Sequence, residues 1–185
     1  MKTEDRLETT KIPLLIARAH LASNVHKTGS WRFARPVQAW KTAPCSRTCP
    51  AGEDIAGIET MLATGRVREA WEMMMQENPF PAICGHVCFH TCETVCNRAE
   101  LDDAVAIHYL EQYAGLQAIE EKFPCPDYNG ASNSRRVAII GSGPSGLSAA
   151  YFLTRLGYGC DVFEKEADPG GILRWGIPIF RLPEG

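Results

Sequence analysis

"VAIIGSGPSGLSAAYFLTRLGYGCDVFEKE", residues 137–166, is the stretch that decides the fold of the C-terminal part of the chain. The short apolar run from Val137 to Ile140 predicts a buried strand, and the residues from Leu147 to Leu156 predict a helix. A second strand is expected around residues 160–163. Because a glycine-rich turn joins the first strand directly to the helix, this order predicts the β-α-β start of a doubly wound α/β sheet.

The turn has the G-x-G-x-x-G spacing of a dinucleotide-binding fingerprint. Gly141 allows the tight turn, Gly143 lets the backbone approach a diphosphate, and Gly146 lets the helix pack closely on the strand. Glu164, at the end of the second strand, is placed to accept a hydrogen bond from a ribose hydroxyl. The fingerprint does not choose between FAD and NAD(P). We also assign cofactor contacts to three neighbouring residues, Pro144, Ser145 and Lys165, although the lysine could equally be an ordinary solvated side chain.

Six of the eight cysteines lie upstream of this unit, within residues 43–123. Cys45 and Cys49 are separated by three residues, and a proline follows the second. The stretch "CGHVCFHTCETVC", residues 84–96, then places a cysteine at every fourth position. Gly85 and the preceding "NPFPAI" predict a looped path rather than one continuous helix. Because so many unpaired thiolates would repel one another and oxidise, a metal centre is the simplest interpretation.

Several chemistries compete for these cysteines. Structural zinc would suit the spacing and the nearby His86 and His90. Buried structural cysteine explains single residues such as Cys160, but not two clusters. The Cys-Pro pair and the adjoining dinucleotide unit favour an iron–sulfur cluster, because a flavin and a cluster together form an electron path. In that case His86 and His90 are polar neighbours, and we expect no role for Cys125.

The helical elements around the cysteines can be predicted from periodicity. Residues 55–78 indicate a helical hairpin that turns at Gly65, with Asp54 as the N-cap of its first helix. The stretch from Asp103 to Lys122 predicts another helix, which carries an apolar row that includes Val105, Tyr109, Leu110, Tyr113 and Leu116 on one side. A turn-rich linker follows at residues 124–136.

The N-terminal part, residues 1–42, contains an apolar stretch at 12–22 and the segment "TGSWRFARPVQAW" at 28–40. Charged residues precede and interrupt the apolar stretch, which is also too short to span a bilayer, so we expect an amphipathic helix and no membrane insertion. The second segment is predicted to be an extended arm. Its Trp31 and Phe33 either pack on this chain or contact a partner.

Residues 43–185 combine two independent motif sets in one order, "PCSRTCP" and "CGHVCFHTCETVC" followed by the glycine-rich unit and "PGGILRWGIPIFRLP". This combination resembles the iron–sulfur and flavin regions of the glutamate synthase small-subunit family, which includes the N-terminal part of dihydropyrimidine dehydrogenase and many anaerobic oxidoreductases. The resemblance implies a mainly α iron–sulfur domain at 43–123, followed by the start of a Rossmann-like FAD-binding domain at 137–185. It also implies flavin contacts at Gly170, Gly171, Ile172 and Leu173.

The family pattern implies one 4Fe-4S cluster at Cys49, Cys88, Cys92 and Glu111, or at Gln112 in place of Glu111 if the gap is placed differently. A second cluster would use Cys45 and Cys96 together with a cysteine pair whose positions fall at Val37 and Trp40 here. That pair is absent, so we expect one cluster and leave a second open. A rearranged site that recruits Cys45, Cys96 or Cys84 is the alternative.

What the resemblance implies for function is an electron-transfer component of an NAD(P)H-linked iron–sulfur flavoprotein oxidoreductase, with electrons passing between FAD and 4Fe-4S clusters to a partner subunit. No side chain is expected to act as a catalytic acid or base. The family would continue beyond residue 185 into a nicotinamide domain, so we expect a fragment or a subunit that another polypeptide completes. NAD(P)H would bind outside this chain.

Expected partners are other subunits of an oxidoreductase complex, and a redox protein such as a ferredoxin or a larger catalytic subunit. The "TGSWR" segment, residues 28–32, resembles the opening of delta subunits of 2-oxoacid oxidoreductases, where it contacts partners. Two other functions stay open. One is a non-catalytic, metal-stabilised assembly subunit, and the other is a zinc-stabilised nucleotide-binding module.

The composition and charge of the chain bear on its partners and its location. The chain has 185 residues, 45% of them hydrophobic, and a formal net charge of −3. A small acidic excess without a Lys/Arg-rich run argues against nucleic acid as a partner. Because no secretory signal is evident, we predict a cytoplasmic location, where cysteines serve metal and redox chemistry more often than disulfides.

Overall fold

The computed structural model describes residues 41–126 and 134–183 of the chain. The predicted helix over 12–22 and the arm at 28–40 lie outside the described residues, as do positions 37 and 40 of the expected cysteine pair and much of the linker. Lys41–Gly185 forms one compact unit, in which a helical region is followed by a β-α-β unit.

The helical region is built from short elements. They are α1 Pro44–Thr48, α2 Ile55–Ala63, α3 Val67–Met74, α4 Pro81–Val87, α5 Thr91–Thr94, the 3-10 turn Asn97–Glu100, and α6 Ile107–Glu120. The predicted hairpin is confirmed as α2 and α3, which turn at Gly65 with φ +75°. The predicted cap is confirmed too, because the Asp54 side chain accepts a hydrogen bond of 3.2 Å from the backbone N–H of Gly57.

Helix α6 differs from its prediction in both length and orientation. It starts at Ile107, so Asp103–Ala106 is not helical. Much of the predicted apolar row faces solvent, since Tyr109 is 62% exposed and Tyr113 is 50% exposed, whereas Leu110 is half-buried. The buried side of α6 carries smaller residues instead, because α4 crosses it very closely.

The crossing of α4 and α6 depends on glycine in each helix. A Cβ at Gly85 would lie 2.5 Å from the backbone nitrogen of Gln112, and one at Gly115 would lie 2.3 Å from the nitrogen of Ala82. No side chain fits at such distances. Bulky residues such as Tyr113 are therefore excluded from this face of α6.

Three apolar clusters hold the helical region together, and one of them contains cysteines. Ile58, Ala70, Met74 and Ala114 form the first. The second joins three buried residues, Ile55, Cys92 and Ile107, with the partly buried Cys45, Cys49 and Val105. The cysteine-bearing elements α1 and α5 are thus anchored to α2 and α6 by ordinary hydrophobic packing.

The predicted looped path through the second cysteine cluster is confirmed, but the break lies elsewhere than at Gly85. Helix α4 contains Gly85 and ends at Val87. Cys88 is extended, with φ −58° and ψ 153°, and His90 adopts the left-handed conformation with φ 55° before α5 begins. The chain therefore reverses direction between Cys88 and Cys92, instead of carrying both thiols on one helix.

The β-α-β unit consists of β1 Arg136–Ile140, α7 Pro144–Arg155 and β2 Gly159–Phe163, followed by the short helix α8 Ile172–Trp175. The two strands are parallel and pair Val137 with Cys160. The predicted order of elements is confirmed. The expectation of a buried strand holds only for Ile139, because Ile140 is 84% exposed and only α7 packs against this sheet among the described elements.

Direct contacts join α7 to the end of α3. The Tyr151 hydroxyl donates to the Met75 carbonyl at 2.6 Å, and the Arg155 guanidinium donates to the carbonyls of Met75 and Gln76 at 3.1 and 2.7 Å. Tyr151 also packs against a cluster that includes Trp71. Because the last carbonyls of a helix have no partner within it, these bonds satisfy the end of α3.

Within the described ranges, none of the helices combines the length and the apolar character that crossing a bilayer would require.

Candidate functional site

The structure brings three of the predicted metal ligands into one region. Cys49 follows α1, Cys88 follows α4, and Cys92 lies in α5. Burial, together with the neighbouring Glu93, Cys88 and Cys49, raises the pKa of the Cys92 thiol to about 12. These three thiols therefore come from separate parts of the chain, and those of Cys88 and Cys49 lie close enough to act on Cys92.

Glu111 is not the ordinary exposed helix glutamate that its sequence context suggests. Its residue is only 9% exposed, on the side of α6 that faces the helical region. The Asn78 side chain donates from Nδ2 to Glu111 Oε1 at 2.5 Å. Burial and the charge of Glu53 raise the pKa of the Glu111 carboxyl to about 8.

The thiol of Cys84 lies close to the Glu111 carboxylate. The Cys84 thiol donates to Asn78 Oδ1 at 3.5 Å, and burial followed by the charge of Glu111 raises its pKa to about 12. Cys88 also acts on the Cys84 thiol. Cys84 thus lies between Glu111 and the group of three thiols.

Two buried polar residues of this region were missed by sequence reasoning. Glu53 is 5% exposed and Asn78 is 4% exposed. Glu53 Oε2 accepts a weak bond from Cys49 Sγ at 3.9 Å, whereas Glu53 Oε1 has no partner. The only signals in the sequence are that Glu53 follows Cys49 by four positions and that Asn78 precedes a proline, and neither indicates burial.

The thiol and carboxyl groups of this region suit a positively charged iron–sulfur core. The charged groups that shift the pKa values of Cys84, Cys92, Glu53 and Glu111 are all acidic. Burying so many acids without a positive charge is costly. An iron–sulfur core would supply that charge and bind thiolates and a carboxylate.

A single zinc ion fits these cysteines less well. At about 2.3 Å from each sulfur, zinc would hold its thiolates within about 4.6 Å of one another. In residues 41–126 and 134–183, the only three potential ligand atoms that lie mutually within 4.8 Å belong to His90, Glu93 and His108. No three of the described cysteine sulfurs lie mutually within that distance.

The three residues His90, Glu93 and His108 are arranged as a polar network instead. His108 contacts Glu93 Oε1 through its backbone nitrogen at 3.0 Å and its ring Nδ1 at 2.6 Å. The rings of His90 and His108 stack with centroids 3.8 Å apart and an interplanar angle of 14°. Nitrogen lone pairs of two stacked rings lie in parallel planes and do not converge on one ion.

His86 and Gln112 form another polar pair. His86 Nδ1 lies 2.7 Å from the Ala82 carbonyl oxygen, and its Nε2 lies 2.6 Å from Gln112 Nε2. The Gln112 side chain is therefore engaged with His86, whereas Glu111 contacts Asn78 beside Cys84. This arrangement favours Glu111 over Gln112 as the non-cysteine ligand candidate.

The remaining cysteines differ from one another in their surroundings, and Cys45 shares the apolar cluster of Cys49 and Cys92. Cys45 is half-buried in α1, where burial is the largest cause that raises the pKa of its thiol. Cys96 is half-buried directly before the 3-10 turn. Cys160 is half-buried in β2, and Cys125 is exposed.

The glycine-rich turn has the geometry that the fingerprint predicts. Gly141 adopts φ +94°, and a Cβ at Gly146 would lie 2.0 Å from the Gly141 carbonyl oxygen. A Cβ at Gly143 would meet nothing within 4 Å, so the space above the turn is open. Pro144 starts α7, and Ser145 is exposed in its first turn.

Glu164 is held against this turn by hydrogen bonds. Its Oε2 accepts from the backbone nitrogen and hydroxyl of Ser142 at 2.7 and 2.5 Å. Its Oε1 accepts from the backbone nitrogens of Lys165 and Glu166. These bonds, led by those from Ser142, lower the pKa of the Glu164 carboxyl to about 2. The Lys165 ammonium pairs with Glu166 at 3.3 Å.

The predicted flavin loop lies next to the same turn. Gly170 donates from its backbone nitrogen to the Ser142 carbonyl at 3.0 Å, and a Cβ at Gly171 would lie 2.8 Å from Gly143 Cα. Ile172 and Leu173 then begin α8. The turn and the loop form one open cradle next to the N-terminus of α7, which suits a dinucleotide diphosphate.

Comparison with known proteins defines the class of protein. The family "Dihydropyrimidine dehydrogenase domain II, 4Fe-4S cluster" matches residues 27–123, and the family "NAD(P)-binding Rossmann-like domain" matches residues 139–174. The chain therefore combines an iron–sulfur domain with the start of a Rossmann-like domain. It belongs to the dihydropyrimidine dehydrogenase domain II family of 4Fe-4S proteins.

Relatives among known proteins are oxidoreductase subunits by name. The chain is 37% identical over 185 residues to the NADPH-Fe(3+) oxidoreductase subunit beta of Geobacter sulfurreducens, a match that covers 95% of this chain and 27% of the relative. It is 38% identical over 145 residues to the NAD-dependent dihydropyrimidine dehydrogenase subunit PreT of Escherichia coli (strain K12), covering 77% of this chain and 35% of the relative. The chain thus spans about a third or less of their length.

These findings confirm the predicted family, and with it the mainly α iron–sulfur domain followed by the β-α-β start of a Rossmann-like domain.

Proposed function

We propose that this chain is an electron-transfer component of an NAD(P)H-linked iron–sulfur flavoprotein oxidoreductase. In this proposal it holds a 4Fe-4S cluster in its helical region and the adenine dinucleotide part of FAD at its glycine-rich turn. The observation that supports the proposal is an acidic, partly buried region in which Cys88 and Cys49 act on the Cys92 thiol while Glu111 and Cys88 act on the Cys84 thiol, followed along the chain by a dinucleotide-type turn.

The cluster ligands in this proposal are Cys49, Cys88, Cys92 and Glu111. Cys49 and Cys88 both act on the Cys92 thiol, which supports placing these three thiols on one cluster. The buried Glu111 carboxylate supports the assignment because no cationic group is among those that shift its pKa. When bound, such a cluster supplies a carrier for single electrons. Ile55 and Ile107 pack against the cysteine-bearing elements and shield part of the site from water, while Cys49 and Cys88 stay partly exposed.

The flavin contacts in this proposal belong to the glycine-rich turn and the loop beside it. The open space at Gly143 and the first turn of α7 suit the diphosphate, and Glu164 suits the ribose. Because Ser142 occupies Glu164 Oε2, a ribose hydroxyl would bind there in place of the Ser142 hydroxyl. The further contacts proposed here are Pro144, Ser145, Gly146, Lys165, Gly170, Gly171, Ile172 and Leu173.

The hydrogen bond from Tyr151 to Met75 joins the two regions directly, which supports a fixed placement of the residues that would hold the two cofactors. A second cluster at Cys45 and Cys96 would need ligands from the residues before Lys41 or from a partner. We propose another oxidoreductase subunit, or a ferredoxin-like protein, as the electron partner, and a cytoplasmic location.

The visible spectrum of the anaerobically purified full chain tests this proposal. We expect broad absorbance that dithionite bleaches, as for an iron–sulfur cluster, and flavin bands once FAD is added. Cys125→Ser is the matched control, because Cys125 is exposed and takes no part in the proposed site. A colourless protein that contains zinc would contradict the electron-transfer function. A cluster spectrum without flavin binding would contradict the FAD assignment alone.

A further inference from the structure

We propose that Asn78 is a positioning residue that selects the Glu111 carboxylate, rather than the Cys84 thiol, as the fourth ligand of the cluster. This inference rests on the proposed function, because it assumes a cluster at Cys49, Cys88 and Cys92. It concerns a residue that sequence reasoning did not single out. Its basis is that one buried amide contacts both candidate ligands at the same time.

The orientation of the Asn78 amide follows from its third partner. The backbone N–H of Phe80 points at the amide with a distance of 2.9 Å, and an N–H can donate only to the oxygen. Oδ1 therefore faces Phe80 and Cys84, and Nδ2 must face Glu111. The amide cannot flip without losing the bond from Phe80.

In this orientation the amide donates to one candidate ligand, Glu111, and accepts from the other, Cys84. Nδ2 donates to Glu111 Oε1, which favours an ionised carboxylate and leaves Oε2 free for iron. Oδ1 accepts from the Cys84 thiol, which requires that the sulfur keeps its proton. If Cys84 bound iron, it would lose that proton, and its sulfur would face the lone pairs of Oδ1. The amide thus stabilises Glu111 as a ligand and Cys84 as a thiol.

The backbone holds this arrangement rigidly. Asn78 is bonded to the end of α3 through its nitrogen and the Met74 carbonyl at 2.8 Å. Cys84 and Glu111 lie on α4 and α6, which cross at the close contact of Gly85 with Gln112. Because three packed elements carry the three side chains, a change in the amide alters hydrogen bonding before it alters the fold.

Two substitutions of Asn78 test the inference in the full chain. Asn78→Asp keeps an acceptor for Phe80 but replaces the donor that faces Glu111 with an oxygen, which repels the carboxylate. Asn78→Ala removes both interactions. Gln76→Ala is the matched control, because Gln76 is exposed two positions earlier. Cys84→Ser and Glu111→Ala provide the reference states in which only one candidate ligand remains.

The readouts are iron content and the electron paramagnetic resonance spectrum of the dithionite-reduced protein. We expect Cys84→Ser and Gln76→Ala to match the wild type, and both Asn78 variants to show the spectrum of Glu111→Ala, in which Cys84 is the ligand. Combining Glu111→Ala with Cys84→Ser should lower the iron content from about four to about three or fewer per chain, because neither candidate ligand then remains.

The possible failures are distinguishable. A wild-type chain without iron contradicts the proposed function. A wild-type chain with about four iron, together with Asn78 variants that keep the wild-type spectrum, overturns only the role of Asn78. That role is also overturned if Cys84→Ser alone changes the spectrum, or if both Asn78 variants lose all iron while Glu111→Ala retains it.

Discussion

The cysteine region and the glycine-rich turn shift the pKa values of their carboxyl groups in opposite directions. In the cysteine region, Glu53 and Glu111 are buried and their carboxyl pKa values are raised, with burial as the largest cause. At the glycine-rich turn, hydrogen bonds from Ser142 and the following backbone lower the pKa of the Glu164 carboxyl to about 2. The first site needs a positive group to be stable, whereas the second is stable as a preformed anion.

The two sites also differ in how they are assembled. Ser142 and Glu164 are joined across one β-α-β unit, so backbone geometry determines the site almost completely. Asn78, Cys84 and Glu111 come from three separate elements, and tertiary packing brings them together. A site of the first kind should depend mainly on its own local glycines, whereas a site of the second kind should depend on side chains and on helix packing from distant parts of the sequence.

The largest effect is expected from removing a thiol that belongs to the group of three. Cys88→Ser should lower the iron content of the anaerobically purified chain several-fold, because a hydroxyl is a much weaker iron ligand than a thiolate. Flavin binding should be retained, since the glycine-rich turn is untouched. Iron analysis measures this, with Cys125→Ser as the control. Unchanged iron content in Cys88→Ser would exclude Cys88 as a ligand.

Adding a methyl group at Gly146, where the backbone lies closest to Gly141, should disrupt the glycine-rich turn. In Gly146→Ala the new Cβ would lie 2.0 Å from the Gly141 oxygen, so we expect a loss of about 1–3 kcal/mol or more in the free energy of unfolding. Urea denaturation measures it. Gly159→Ala is the matched control, because its Cβ would make an ordinary contact of 3.5 Å with the Arg136 side chain. Equal effects of the two substitutions would contradict this account.

The contribution of the Glu164 carboxylate to the stability of the protein should depend on pH. Because folding lowers the pKa of Glu164 from 4.5 to about 2, its contribution to stability is present above pH 4.5 and is lost as the pH falls towards 2. The difference in urea midpoint between wild type and Glu164→Gln should therefore be largest near neutral pH and shrink on acidification. Glu100→Gln is the control substitution, because Glu100 is exposed and lies on the 3-10 turn, outside the glycine-rich turn. A difference that grows in acid would refute the preformed anion.

The smallest effect is expected at the joint between the two regions. Tyr151→Phe removes the hydrogen bond to the Met75 carbonyl, which should cost about 0.5–1.5 kcal/mol of stability. Tyr113→Phe, on the exposed side of α6, is the control and should be nearly neutral. Thermal or urea unfolding measures both. If Tyr151→Phe is neutral, the two regions are held by the Arg155 hydrogen bonds and by packing at Trp71, and the Tyr151 hydrogen bond contributes nothing.

Sequence reasoning predicted the backbone-determined site more completely than the packed one. The glycine spacing gave the tight turn at Gly141 and the close approach at Gly146, because both are local properties of the chain. The hairpin α2–α3 and the Asp54 cap followed from periodicity and capping chemistry for the same reason.

The packed site could be predicted only in part. Cysteine spacing and family resemblance pointed to Cys49, Cys88, Cys92 and Glu111, but nothing local indicated that Asn78 would be buried against them. The orientation of α6 was also predicted wrongly, because the closeness of α4 at Gly85 and Gly115 decides which face is buried. Helix crossings of this kind depend on residues far apart in sequence, and a single sequence does not reveal them.

The most direct test of the central claim is the iron and sulfide content of the full chain, purified anaerobically, with zinc measured in the same sample. The account predicts about four iron and four acid-labile sulfide per chain, and almost no zinc. Zinc without iron or sulfide would contradict it, because the buried acids around Cys84 and Glu111 would then be neutralised by a different metal and no electron carrier would be present.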